Sequence, residues 1–134
     1  MTKKIIKSGK RKRAVARAVL VEGSGNIKIN KRDYKTLHVF DRLKIEEPLK
    51  ITEHIIGKLN FDVDIGVRGG GEKSQIEAAR LALAKAISEF ENNESLTDAF
   101  FDYDRNLLVA DVRRKEVYKP GDSKARSKRQ ASKR

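Results

Sequence analysis

At 134 residues the chain is long enough for one domain with a proper core and too short for two ordinary ones. Its formal net charge of +12 is segregated: residues 1–17 carry eight Lys or Arg and no acid, residues 113–134 carry ten against two acids, and residues 18–112 hold thirteen bases against seventeen acids. The absence of cysteine excludes a disulfide framework and thiol chemistry, and no run approaches the roughly 18–20 apolar residues of a membrane span.

Taken in order, Ile5 and Ile6 are the only large apolar residues before the cluster Lys10-Arg11-Lys12-Arg13. The start MTKKIIKSGK lacks the apolar stretch of a signal peptide, which predicts a cytoplasmic protein. Residues 14–21 (AVARAVLV) form a β-rich run, Glu22 to Asn26 read as a turn, and Ile27 and Ile29 alternate with polar neighbours. Two strands joined by a Gly-containing loop predict a hairpin. Residues 33–58 are loosely patterned, with a short helix expected where Pro48 precedes Leu49, Ile51, Ile55 and Ile56.

Residues 59–68 carry a firmer signal. Leu59, Phe61, Val63, Ile65 and Val67 alternate with polar residues or glycine, the period of a strand with one apolar face. After Gly69-Gly70-Gly71 a helix is predicted over residues 72–90. Its stripe is Ile76, Ala79, Leu83, Ala86, Ile87 and Phe90, with Lys73, Glu77 and Glu89 facing away and Lys73–Glu77 as an i,i+4 pair. Ala79, Ala82 and Ala86 would let that helix lie close on a sheet. A short helix over 96–103, a turn at Asp104-Arg105-Asn106 and a buried run over 107–109 follow. From residue 119 (KPGDSKARSKRQASKR) large apolar side chains are absent, so a body over 1–118 is expected to give way to a basic arm over 119–134, hinged at Pro120-Gly121.

Little in this pattern supports catalysis. Gly66, four residues and Gly71 imitate the first half of a phosphate loop, but Glu72 stands where its lysine belongs, and Lys73-Ser74 come one place late. A tight strand-to-helix turn accounts for the glycines better, and an RNA phosphate at their amides is the second reading. His38 and His54 are isolated, with no ligand spacing. Asp62 and Asp64 share a strand face and suit solvated acids balancing Arg68 better than a metal pair. No catalytic residue, cofactor or metal site is expected.

The basic ends carry the functional signal. Each phosphate they neutralise would release condensed counterions, and Arg offers planar paired donors for phosphate oxygens. A membrane partner would want an apolar anchor that neither end has. Nucleic acid is therefore the expected partner. Within the N-terminal cluster, Arg17 reads equally as a solvated strand residue or as an extension of Lys10, Arg11, Lys12 and Arg13.

The order of motifs is more specific than any one of them. Gly9 to Ala18 (GKRKRAVARA), Gly23-X-Gly25-X-Ile27, Glu47-Pro48-Leu49, then Val67-Arg68 and the glycines with Gln75-Ile76 and Ala79-Arg80, come first. Tyr103-Asp104-Arg105, Leu107-Leu108, Asp111, Lys124-Ala125-Arg126 and the terminal Ser132-Lys133-Arg134 complete the series. In that order they resemble the family of the ninth protein of the small ribosomal subunit, over about residues 9–134. The Tyr-Asp-Arg block resembles its archaeal and eukaryotic branch.

The resemblance implies an α+β two-layer sandwich: a mainly antiparallel four-stranded sheet with helices on one face, in a left-handed βαβ arrangement, plus an extended basic tail. It implies a structural role in the head of the small subunit, with rRNA and neighbouring head proteins as partners, no membrane and no homo-oligomer. The rRNA ligands would be Lys10, Arg11, Lys12, Arg13, Arg17, Arg113, Arg114, Lys119, Lys124, Arg126, Lys128 and Arg129. Lys133 and Arg134 would face the anticodon stem-loop of P-site tRNA. The family often has an aromatic in its last few residues, where this chain has Ala131 and Lys133, so charge rather than stacking is what its tail offers. A free-standing RNA-binding or RNA-chaperone protein acting through the same ends is the alternative.

Overall fold

The structure, a computed structural model, describes residues 4–109. The expected hinge at Pro120-Gly121 and the basic arm lie outside the described residues, as do the candidate ligands Arg113, Arg114, Lys119, Lys124, Arg126, Lys128, Arg129, Lys133 and Arg134.

Five strands and three helices build two layers. Strands β1 (Lys4–Arg11), β2 (Ala14–Glu22), β3 (Ile27–Ile29), β4 (Arg32–Asp33) and β5 (Phe61–Arg68) form one sheet in the order β1-β2-β5-β3-β4. Helices α1 (Val39–Ile56), α2 (Glu72–Glu91) and α3 (Glu94–Tyr103) cover one of its faces. The α+β class and the helix layer agree with expectation, and the sheet does so in part. Among the described residues it has five strands rather than four. Three of its pairings are antiparallel, in keeping with a mainly antiparallel sheet, and one is parallel, β3 running with β5 so that Ile27, Lys28 and Ile29 lie opposite Val63, Asp64 and Ile65.

The predicted hairpin of β2 with β3 is absent for a local reason: β5 lies between them. The connecting loop wraps the start of β5. Gly23 and Gly25 donate to the carbonyls of Asn60 and Phe61 at 3.1 and 2.9 Å, and Val63 donates to that of Asn26 at 2.9 Å. Those bonds, formed with a strand distant in sequence, replace the ladder a hairpin would have made.

Instead β2 pairs with β1, a strand the hydropathy pattern hid. Its helix-facing positions are Ile5, Lys7, Gly9 and Arg11, so no apolar alternation marks it. Gly9 is there because α2 lies against it: a Cβ would sit 2.3 Å from the carbonyl oxygen of Ala78 and 2.7 Å from the amide nitrogen of Ala82. The small residues of α2 and this glycine together allow the close approach that Ala79, Ala82 and Ala86 had suggested.

On β2, Ala14, Ala16, Ala18 and Leu20 point into the core, and on β5 so do Phe61, Val63 and Ile65. The predicted stripe of α2 is buried except for Phe90, which is half-buried with its ring edge-on to Phe61. Ala78, Leu81 and Ala84 are buried too, Ala78 and Leu81 lying where α2 packs against Gly9 of β1. The expected Lys73–Glu77 pair gives way to Glu77 pairing with Arg11 and Lys44.

Helix α1 is far longer than expected. Pro48 lies inside it rather than at its start, where it removes one backbone donor. Ile45, Pro48, Leu49 and Thr52 are buried on one face, and Thr52 Oγ1 donates to the Pro48 carbonyl at 2.7 Å. Burial of that face holds the helix together across the proline. After α3, Leu107 is buried in a 3₁₀ turn, whereas Val109, expected inside, is exposed.

Candidate nucleic-acid interface

The four cations of the N-terminal cluster sit where β1 turns into β2, and the turn sorts them. Lys12, at φ 54, and Arg13 occupy the turn itself and are exposed. Lys10 and Arg11 end β1 and point to opposite faces, as successive strand residues must. Lys10 faces solvent. Arg11 turns toward the helices, where its Nε donates to Glu77 Oε2 at 2.7 Å and its side chain is only 14% exposed.

Lys44 reaches the other oxygen of Glu77 at 3.4 Å. Burial works to raise the Glu77 carboxyl, but the hydrogen bond from Arg11 and the two cations outweigh it and hold it below its ordinary range. Arg11 therefore fastens the hairpin to α2, while Lys10, Lys12 and Arg13 remain available to a ligand.

Strand register extends the exposed group. Lys10 is opposite Val15, and Val15 is opposite Arg68 of β5. Arg17 is opposite Ser8 on one side and Gly66 on the other. Directly opposed residues share a face, so Lys10, Arg17 and Arg68 all rise from the sheet face without helices, at the end where the basic turn lies. Arg17 is thus both a solvated strand residue and a continuation of the cluster. Arg68 is the cation that sequence reasoning placed among the acids of β5. Its period-two position was legible, but its partner strand was not.

The triple glycine brings Arg68 and the hairpin together. Gly69 and Gly70 take φ of 80° and 62°, and a Cβ on Gly69 would lie 2.6 Å from the Arg13 carbonyl oxygen. Gln75 Nε2 closes the turn on the Gly69 carbonyl at 3.1 Å. This is the tight strand-to-helix turn expected of the glycines.

The far half of the same face carries both signs, Lys4 and Lys28 standing with Asp62 and Asp64. Asp64 is opposite Val19 and Lys28, and Asp62 is opposite Val21. Asp62 is not a counter-charge for Arg68. Its carboxylate accepts from the amides of Asn26 and Ser24 at 3.0 and 3.1 Å, which hold its pKa below the ordinary carboxylate range, the Asn26 bond most of all. Arg68 is six residues along the strand, about 20 Å away.

Among the described residues no group of three His, Cys, Asp or Glu is placed to hold a metal ion, and no helix is long and apolar enough to cross a membrane. His38 caps α1 beside Phe40, and His54 is exposed in its last turn.

A small α+β body, with helices on one sheet face and cations gathered at one end of the other, defines a two-layer domain with an open, charged sheet face. The comparisons make this particular. The family model described as ribosomal protein S9/S16 matches residues 9–134, and the chain belongs to that family. Among its relatives is the small ribosomal subunit protein uS9 of Methanococcus vannielii, 46% identical over 127 residues that cover 92% of this chain and 93% of the relative. The proteins of that name from Methanococcus maripaludis strains C7 and C5 are 46% and 45% identical over the same shares.

Proposed function

We propose that this chain is a structural constituent of the small ribosomal subunit, bound to small-subunit rRNA in its head and working in translation on the cytoplasmic ribosome. The observation that carries this reading is the family match. It spans residues 9–134 and so takes in both the basic hairpin and the basic C-terminal stretch.

In this reading Lys10, Lys12, Arg13 and Arg17 meet rRNA phosphates from the body, while Arg11 keeps the hairpin at the angle that presents them. Arg113, Arg114, Lys119, Lys124, Arg126, Lys128 and Arg129 follow the rRNA beyond it. Lys133 and Arg134 reach the anticodon stem-loop of P-site tRNA. Phosphate contacts of this kind position RNA without reading its sequence.

The test is co-sedimentation. Tagged protein from cells is expected in the small-subunit peak of a sucrose gradient and should stay there after a high-salt wash. A protein that runs free of subunits, or leaves them at moderate salt while still binding RNA, would instead be the free-standing RNA-binding protein of the alternative reading.

A further inference from the structure

We infer that the basic half of the open sheet face is a docking surface for the sugar-phosphate backbone of base-paired RNA, with Arg17 and Arg68 at its centre. This inference rests on the ribosomal reading above and adds to it the surface of the body that is used and the form of RNA that it takes.

Three observations carry it. First, cations from three strands converge there: Lys10 from β1, Arg17 from β2 and Arg68 from β5, rimmed by Lys12 and Arg13. Like charges gathered without partners raise the energy of the free protein, and a polyanion relieves it. No ion pair is formed by Arg17 or Arg68 among the described residues, whereas Arg11 and Arg80, on the helix side, are both paired with carboxylates.

Second, among the described residues the three strands put no aromatic side chain on this face. Its outward positions on the three strands are Lys4, Ile6, Ser8, Lys10, Val15, Arg17, Val19, Val21, Asp62, Asp64, Gly66 and Arg68, with Val19, Val21 and Asp62 half-buried. Sheets that read single-stranded RNA do so by stacking splayed bases on aromatic rings. A face of cations and aliphatics cannot stack bases, but it suits the regular phosphate rows of a helix, recognised by shape and charge. The exposed aromatics of the described residues, Phe40, Phe101 and Tyr103, lie on α1 and α3 in the other layer.

Third, the site has a boundary and a low point. In the far half Asp62 and Asp64 balance Lys4 and Lys28, so the net positive charge that attracts phosphate is confined to the hairpin end. Gly66 lies beside Arg17 with no atom within 4 Å of where a Cβ would be. No packing inside the described residues fills that space, and it leaves the backbone open between the two arginines. The remaining basic stretch of the chain, 113–134, would be repelled by this end, so RNA is the occupant that charge complementarity selects.

The absence of cysteine makes the test clean. Single cysteines at Ser8 on the open face and at Ser132 in the tail would each carry a tethered iron chelate that cleaves nearby RNA by hydroxyl radical. Each full-length protein is assembled into small subunits. Cuts from Ser8→Cys are expected on both strands of a paired rRNA segment. They should weaken in the Gly66→Glu background, where the added carboxylate meets phosphate and no protein atom. Cuts from Ser8→Cys confined to unpaired loops, or absent while Ser132→Cys still cuts, would overturn the inference and leave the ribosomal reading standing. Failure of both proteins to enter subunits would overturn both.

A second measurement does not depend on assembly. For full-length protein and an RNA hairpin, Arg17→Ala with Arg68→Ala should reduce the slope of log affinity against log salt by roughly two, about one for each cation. For an unstructured single strand the slope should be unchanged. Equal slopes for wild type and double variant on the hairpin would overturn the inference.

Discussion

The guanidinium of Arg11 donates to Glu77 at 2.7 Å and so joins the basic hairpin to the long helix behind it. One cation of the cluster is thereby tied to the helix layer, and its neighbours gain a fixed base. A surface pair is worth little, but this one is mostly covered, and hydrogen bonds to charged groups contribute about 1.5–3 kcal/mol when well formed.

The pair has a pH signature. The Glu77 carboxyl is more acidic folded than unfolded, where its ordinary value is 4.5. Its contribution is therefore complete above about that value and is lost as pH falls through the lower folded one. In urea melts, wild type should lose more stability than Glu77→Gln between about pH 5 and pH 3, and the two should converge at the acid end. Parallel curves would mean that Arg11 does not stabilise the carboxylate.

Two glycines make opposite predictions. Gly9→Ala should cost about 1–3 kcal/mol, because the new methyl meets backbone atoms of α2 that only a shift of the helix could move away. Gly66→Ala, in open space on the same sheet, should be neutral or gain about 0.4–1 kcal/mol through the unfolded chain. Chemical denaturation of both proteins decides it, and equal effects would contradict the packing described here.

Leu83 is fully buried in the middle of α2. Leu83→Ala should cost about 2–5 kcal/mol, the transfer of the lost atoms plus the cavity they leave. A reversible melt showing less than about half a kilocalorie would place that helix face against something other than the sheet.

At the other end of the chain, the proposed tRNA contact separates charge from shape. Arg134→Ala should speed dissociation of P-site tRNA from isolated small subunits more than Arg134→Lys does, since lysine keeps the charge but lacks the planar pair of donors. The effect should be similar for all tRNAs and larger at low salt. Unchanged off-rates for Arg134→Ala across salts would leave the tail with rRNA alone.

Much of this protein was decided by sequence alone, wherever a signal is local. The period of two in residues 59–68 marked β5 and its buried face, and the stripe from Ile76 to Ile87 marked α2, because alternation and helical spacing depend only on neighbours along the chain. Charge segregation and the ordered motifs pointed to RNA and to the family in the same way. What depends on residues far apart was left to the tertiary structure. Strand β1 was hidden because Gly9 and Arg11 occupy inward positions whose reason, α2, lies some seventy residues on. The reach of α1 through Pro48 was decided by burial of Ile45, Leu49 and Thr52, which outweighs a local helix-breaking preference. The order of strands, with β5 between β2 and β3, set which cations share a face. Arg68 joined Arg17 and Lys10 only because register is a long-range property, fixed by the loop that wraps β5 and by the glycine turn against Arg13.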